Sequence, residues 1–535
     1  MKGKPAGLEL FSQERDRLQS LIDEDPAKAL KEARALSSDT PVGGVLYTGL
    51  KAGILVDAGS CAKDKQAVEE GIALFRALAS ANPKQPDSHY NLGNGLVALA
   101  DLEPYTGVDW YLTTAATRRE GRSQFQRAIS SNHNHPIVSV ALTNLGNALW
   151  KAHRWAEAYD AYARALAHDA SNAMASTGAA KVLLQCIARG IGDRKVLQSV
   201  AARHLEAAKL HPERIAELAG ARAQQQLSQL MQKRLEGGAP PDLSRASEYE
   251  RFVAANRLAL SPTIDGQDCS LKRWDSLRFA SITEPAGTDP GVPALFAMLN
   301  VMKSDFLAAR YLAYQALSST FPESGLYSDT LDYAVYGVAP SMLSLAQRAC
   351  IDVLDKIAVA TTEYFAMPGP ARAVYFTNRW FADSQKGQPL AWHPSLRPHI
   401  DKGNAALIAL AEISLDVGEG GALQRKKAFR HASTHRFTVL HDIGCKPSRK
   451  SVHIEHCEVS DFKSDLIESL QLGRAAMLYF VEMISINERA NTASPEKRLP
   501  ISVPSHHYIR GEDEGERQIR RTIPKTPLRN AKKRR

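Results

Sequence analysis

Apolar residues recur along most of this chain at steps of three, four and seven. One stripe runs through Leu343, Ala346, Cys350, Val353, Ile357 and Tyr364, and another through Phe462, Leu466, Leu470, Met477, Phe480 and Ile484. Each puts its apolar side chains on one face of a long helix, and helices of that kind bury their stripes against one another as a bundle. A further helix is predicted over 293–318, with Pro293 suited to its first turn, and another over 404–415. The glycines of Gly418-Glu419-Gly420-Gly421 stop that helix before the next begins. Residues 372–377 and 451–456 read as short strands, but neither has partners that change an all-α prediction.

Toward the N-terminus the pattern repeats. Asn91-Leu92-Gly93-Asn94-Gly95-Leu96 returns as Asn144-Leu145-Gly146-Asn147-Ala148-Leu149, and the second copy is followed by Ala158, Tyr162 and Ala165. These offsets match the small and large positions of a tetratricopeptide helix pair, in which small residues let helices approach and an aromatic ring fills the groove between repeats. Phe75 with Pro83, Phe125 with Ala128, and Leu205 with Pro212 mark less regular copies, with an insertion at 103–119. Three or more such units predict a solenoid over 20–235, which either offers its concave surface to a protein partner or serves as structural support.

Runs rich in glycine and proline at 236–244 and 284–293 interrupt the helical pattern and serve as joints. The expected organisation is an N-terminal segment at 1–19, tetratricopeptide-like repeats at 20–235, a connecting region at 236–291, a helical bundle at 292–492 and a basic, disordered tail at 493–535. At 535 residues, 44% hydrophobic and 23% charged, the chain has the composition of a folded multidomain protein rather than a disordered or fibrous one. Its six cysteines include no C-x-x-C pair, so a disulfide framework and a zinc ribbon are not indicated, and a reducing cytoplasm fits. No stretch approaches the ~20 apolar residues of a membrane span, and the first residues lack a signal-peptide core.

The net charge of +9 is unevenly placed, with part of the excess in the tail and part in 425–436. That second stretch opens the window 423–441, which holds Arg430, His431, Thr434, His435, Arg436 and His441 and no carboxylate. Drawn as a helix at ~100° per residue, it places Phe429, Ser433, Phe437 and Leu440 on one side and Lys427, Arg430, His431, Thr434, His435, Thr438 and His441 on the other. Arg430 and His435, five apart, point about 140° from each other and flank the polar face. A histidine exchanges protons near neutrality, and an arginine offers a permanently charged fork to phosphate oxygens, so the pair suits a phosphodiester.

An arginine followed by a polar residue and, after three more, a histidine resembles the signature of the HEPN superfamily of small helical ribonucleases. The segments 328–337, 352–357 and 248–262 resemble a bacterial HEPN subfamily in which the nuclease-like domain follows helical repeats, and the likeness covers 246–490. It implies a metal-independent endoribonuclease that uses no cofactor, in which His435 moves the proton, Arg430 holds the non-bridging phosphate oxygens, and His431 and Thr434 support them. It further implies a homodimer that brings two motifs into one cleft, products ending in 2′,3′-cyclic phosphate and 5′-hydroxyl, and a toxin role in stress or phage defence. The competing class is a non-enzymatic protein whose repeats collect partners and whose bundle only dimerises.

Other chemistries are weaker. His431 and His435 stand at i and i+4 like two ligands of a zincin helix, but Ala432 occupies the place of the essential glutamate. His441, His453, His456 and Cys457 lack a tidy zinc spacing. Asp329, Asp332, Asp352 and Asp355 suggest a Mg²⁺ clamp, yet Arg348 and Lys356 lie four residues from Asp352, and local helix pairs account for the acids as scaffold. Arg436 is expected to turn toward the apolar side and meet an acid at 352–355. Of the aromatics suited to stacking on bases, Tyr333 and Tyr336 are expected in the core, while Trp380 and Trp392 are left open.

Overall fold

The computed structural model describes residues 6–36, 44–232, 241–268, 274–283, 292–321, 325–382, 388–444 and 451–492, with a few single residues between them; within helix 424–435 the side chains of 430–435 lie outside the described residues. Among the described residues the structure is predominantly helical, with one small three-stranded sheet. The tail at 493–535 and the joint at 284–291 also lie outside the described residues.

The first part is a series of antiparallel helix pairs: α1 (Ala6–Glu24) with α2 (Pro26–Ala35), α3 (Gly44–Ala62) with α4 (Lys65–Ala81), and α5 (Pro86–Leu102) with α7 (Ala115–Ser131). Between α5 and α7 lies the inserted segment, which carries a short helix α6 (Trp110–Thr113). Then come α8 (Ile137–Lys151) with α9 (Trp155–His168), α10 (Ala173–Ala188) with α11 (Arg194–Lys209), and α12 (Glu213–Met231).

Close approach in these pairs rests on glycine. A Cβ on Gly146 would sit 2.6 Å from the Tyr162 ring, one on Gly178 2.7 Å from the same ring, and one on Gly93 2.7 Å from Phe125. Tyr162 is therefore gripped between two helices, and its hydroxyl donates to Asn147 at 2.7 Å. This is the small-against-aromatic packing that the repeat pattern predicts.

The second part begins with α13 (Glu248–Ala255), whose first turn is closed by a capping box between Ser247 and Glu250. The bundle follows as α14 (Ala294–Ser318), α15 (Val338–Tyr364), the short α16 (Arg397–Asp401), α17 (Ala405–Val417), α18 (Gln424–His435) and α19 (Val459–Thr492). Pro293 stands immediately ahead of α14 rather than inside its first turn. Residues 371–373 and 376–378 form 3₁₀ turns, so no strand forms at 372–377. The other predicted strand is real: β3 (Ile454–Glu458) pairs in parallel with β2 (Phe437–His441), which pairs antiparallel with β1 (Ala334–Val335).

One hydrophobic core runs from Trp110 to Ile484 and joins the later repeats to the bundle. Helix α17 lies between the two and is buried along almost its whole length. On its repeat-facing side Glu412 and Asp416 meet arginines of α7 and of the α8–α9 turn. Arg118 reaches Glu412 at 2.6 Å, Arg122 spans Glu412 at 2.9 Å and Asp416 at 2.8 Å, and Arg154 bonds Asp416 and, at 2.6 Å, Glu157. Burial raises the Glu412 and Asp416 pKa values, but these guanidiniums outweigh it and hold both carboxyls below their ordinary range.

Helix α19 reaches across as well. The Tyr479 hydroxyl accepts from the backbone N–H groups of Ala156 and Glu157 at 3.1 and 3.3 Å, capping the start of α9. Asp160 of α9 accepts from Arg474 at 2.6 Å and from Arg257 at 2.7 Å.

Candidate functional site

The motif falls on α18, and the structure shows how that helix is placed. Its start is fixed by the turn from α17. Gly420 takes φ +73, a conformation in which side chains other than glycine are strained. A Cβ on Gly421 would stand 2.1 Å from the Asp416 carbonyl oxygen, so only glycine fits. The N–H of Leu423 donates to that same oxygen at 2.9 Å, and the Gln424 side chain accepts from the Gly420 N–H at 2.9 Å.

One face of α18 then packs as expected. Phe429 is buried edge-on against Phe462, with ring centroids 5.1 Å apart, and the Arg425 guanidinium lies 5.2 Å above the Phe429 ring. Lys426 is buried, and its ammonium donates to Glu468 at 3.0 Å and to the Asp465 carbonyl at 3.2 Å. Glu468 also pairs with Arg164 of the repeat helix α9 at 2.7 Å. Burial alone would raise the Glu468 pKa, but Arg164 and Lys426 together bring it down to about 2. A relay of three charges thus ties the first turn of the motif helix to the repeats. Nothing in the sequence signals it, because Lys426 reads as one more cation in a basic run.

Arg430, His431, Thr434 and His435 occupy the last turn and a half of α18, and their side chains lie outside the described residues. The helix ends at His435, not at His441. From Phe437 the chain is strand β2, so Thr438 and His441 do not share the polar helical face and Phe437 and Leu440 do not share the apolar one. The run Phe-Thr-Val-Leu is rich in β-branched and aromatic residues, and a partner strand more than ten residues onward captures it. Leu440 is buried, whereas Phe437 is 68% exposed.

Arg436 also departs from expectation. It is exposed, and its guanidinium donates to the Val452 carbonyl at 3.5 Å rather than to an acid at 352–355. Asp355 accepts from the Phe376 N–H at 2.8 Å, a scaffold contact, and Lys356 pairs with Asp305 of α14 rather than with Asp352.

The sheet gathers two histidines far apart in sequence. His441 is fully buried; its Nδ1 lies 2.8 Å from the Asp332 carbonyl and its Nε2 2.8 Å from Nδ1 of His456. A carbonyl only accepts, so the hydrogen-bond network puts the His441 proton on Nδ1, and in neutral imidazoles His456 Nδ1–H donates to His441 Nε2. Burial and the nearby His441 lower the His456 pKa. Cys457 faces the other side of the sheet, where it accepts from Arg425 at 3.2 Å, and burial pushes its thiol up to about 12. The His/Cys set considered for zinc is therefore split between two faces. Among the described residues no three His, Cys, Asp or Glu side chains group as a metal site.

Tyr333 and Tyr336 do not take the core places expected of them. Trp380 and Trp392 are buried, while Tyr333 and Tyr336 are 67% and 41% exposed.

Residues 286–487, from the approach to α14 to near the end of α19, match a family model described as LA2681-like HEPN. This part of the chain is HEPN-like. The HEPN segment contains α14 to α18, most of α19 and the whole of the small sheet, and the Arg430–His435 motif lies inside it. The helical pairs ahead of it are consistent with tetratricopeptide-like repeats. No curated protein and no solved structure matches the chain. No helix of the described residues is long and apolar enough to cross a membrane.

Proposed function

We propose that this protein is a metal-independent endoribonuclease of HEPN type. The observation that carries the reading is the position of the motif within the HEPN segment. Residues 430–435 close a helix whose start is locked by Gly421, Phe429 and Lys426 and whose end runs into a strand. HEPN domains are often ribonucleases and often dimerise, which supports pairing of two motifs across a twofold axis. In that arrangement His435 takes the 2′-hydroxyl proton and returns one to the leaving 5′-oxygen, Arg430 neutralises the pentacoordinate phosphate, and His431 and Thr434 orient it.

The organisation supports a division of labour, with the repeats at 20–235 recruiting a protein partner and the bundle at 292–492 cutting RNA in the cytoplasm, as a toxin or effector in stress or phage defence. The test is cleavage of mixed RNA by EDTA-treated protein beside Arg430→Ala and His435→Ala, with end-group analysis of the products. Both variants are expected to lose cutting while keeping fold and oligomeric state, and wild-type products to end in 2′,3′-cyclic phosphate. Equal activity in all three proteins, or activity abolished by the chelator, refutes the assignment. Absence of cutting in wild type favours the non-enzymatic reading, in which the bundle only dimerises.

A further inference from the structure

We propose that Tyr327, Tyr333 and Tyr336 form a subsite for the unpaired bases of single-stranded RNA at the far end of strand β2 from the motif helix. The inference rests on the nuclease reading and names the substrate feature recognised. Tyr327 and Tyr336 stack on each other, with centroids 5.9 Å apart and planes 16° from parallel, yet they remain 56% and 41% exposed. Tyr333 is 67% exposed and is held at φ 58, a strained conformation for a residue with a side chain. Three rings are thus kept out of a core that encloses Trp380 and Trp392 completely or nearly so.

The rings are held in place. Strand β1 follows Tyr333 directly, and the Tyr333 carbonyl accepts from the Asp442 N–H at 3.0 Å. The Asp332 carbonyl is tied to His441 and through it to His456. Thr330 hydrogen-bonds the Asp332 carboxylate at 2.6 Å and lies 3.3 Å from the Tyr336 hydroxyl. A stacking surface fixed in advance loses little conformational entropy on binding. The route to the motif is short: β2 leads from His435 to Asp442 in seven residues, no more than ~25 Å of extended chain.

Charge decides what the surface holds. Asp329, Asp332 and Asp442 stand in or beside this loop, and Glu455 and Glu458 lie on β3, a setting that repels phosphates. Arg436 and the basic motif lie at the other end of β2. Phosphates therefore belong at the motif and bases at the tyrosines, since every base has a face that stacks regardless of charge. Exposed Leu326 and Leu331 next to the rings make a second copy of the chain the rival occupant.

The test uses the full chain carrying His435→Ala to stop cutting, in EDTA. It compares, by fluorescence anisotropy, a labelled oligoadenylate with an abasic ribose-phosphate oligomer of equal length. The base-bearing strand is expected to bind more tightly, and Tyr333→Ala and Tyr336→Ala each to shrink that advantage roughly five- to a hundred-fold. Tyr333→Phe, which keeps the ring, should retain it, and the salt dependence of binding should not change, because no phosphate contact is lost. Equal affinity for both oligomers, or a reduced salt slope in the tyrosine variants, overturns the proposal. So does a shift from dimer to monomer with RNA affinity unaltered, which would assign the rings to a second copy. Base-dependent binding without cleavage by the wild type would refute the nuclease and leave the subsite standing; cleavage with unchanged base discrimination in the tyrosine variants would do the reverse.

Discussion

Replacing Asp416 by Asn tests whether buried charge holds the repeats to the HEPN segment. Asp416 is 1% exposed and accepts from Arg122 through Nε and a terminal nitrogen, both at 2.8 Å, and from Arg154. With Arg118, Glu157 and Glu412 the cluster balances three positive against three negative groups, so the amide leaves one uncompensated positive charge in the interior. Breaking a buried pair costs about 3–5 kcal/mol, and the lower end applies here because Arg122 keeps Glu412 and Arg154 keeps Glu157. An equivalent change in an exposed pair, Asp101→Asn beside Lys151, should stay within ~1 kcal/mol. The assay is denaturant unfolding of both variants against wild type. The sign of the pH dependence is fixed: the Asp416 pKa is depressed in the folded chain, so its contribution is full above the unfolded value of ~3.9 and is lost as pH falls through the folded one. The gap between wild type and Asp416→Asn should be constant above pH ~5 and close in stronger acid. Arg122→Met with Asp416→Met restores neutrality and should recover much of the loss. If Asp416→Asn proves no more harmful than Asp101→Asn, the ion cluster does not bind the two parts together.

Two further substitutions probe packing. Phe429→Ala removes a buried ring from the motif helix and should cost about 3–5 kcal/mol, with hydrogen exchange in 424–435 accelerated and that in α14 unchanged; uniform protection in both would refute the role of Phe429 as the anchor. Gly146→Ala drives a Cβ to 2.6 Å from the Tyr162 ring and should cost about 1–3 kcal/mol by thermal melting. Adding Tyr162→Leu should make the alanine nearly neutral, and an undiminished penalty in that background would show that the ring is not what the glycine accommodates.

Local regularity carried the reading of the fold. The stripes that begin at Leu343 and Phe462 became α15 and α19, and Gly93, Gly146, Phe125 and Tyr162 took the small and large places assigned to them. What failed depended on partners distant in sequence. Phe437 to His441 looked helical because the basic periodicity runs on through them, and they became a strand only because residues 454–458 come alongside. Arg118 and Arg122 resemble surface charges in a polar helix until α17 brings Glu412 and Asp416 against them, nearly three hundred residues later. Tyr333 and Tyr336 were expected inside on side-chain hydrophobicity alone, but a loop between two helices presents its rings outward whatever their transfer energy.

The anchoring of the motif helix also constrains how a partner on the repeats could control it. Its first turn is bound to α9 through Lys426, Glu468 and Arg164, and its preceding turn is pressed against Asp416, whose carboxylate is held by arginines of the repeats. Swinging the repeats away from the bundle would part the guanidiniums of Arg118, Arg122, Arg154 and Arg164 from their carboxylates while leaving much of α17 without its cover. Separation of that kind costs several kcal/mol per unpaired buried charge, more than the 1–3 kcal/mol in which couplings between binding sites usually fall. Control from the repeats is therefore better served by a partner that covers or uncovers the end of α18, or by small shifts passed along the Arg164–Glu468–Lys426 relay, than by parting the two halves.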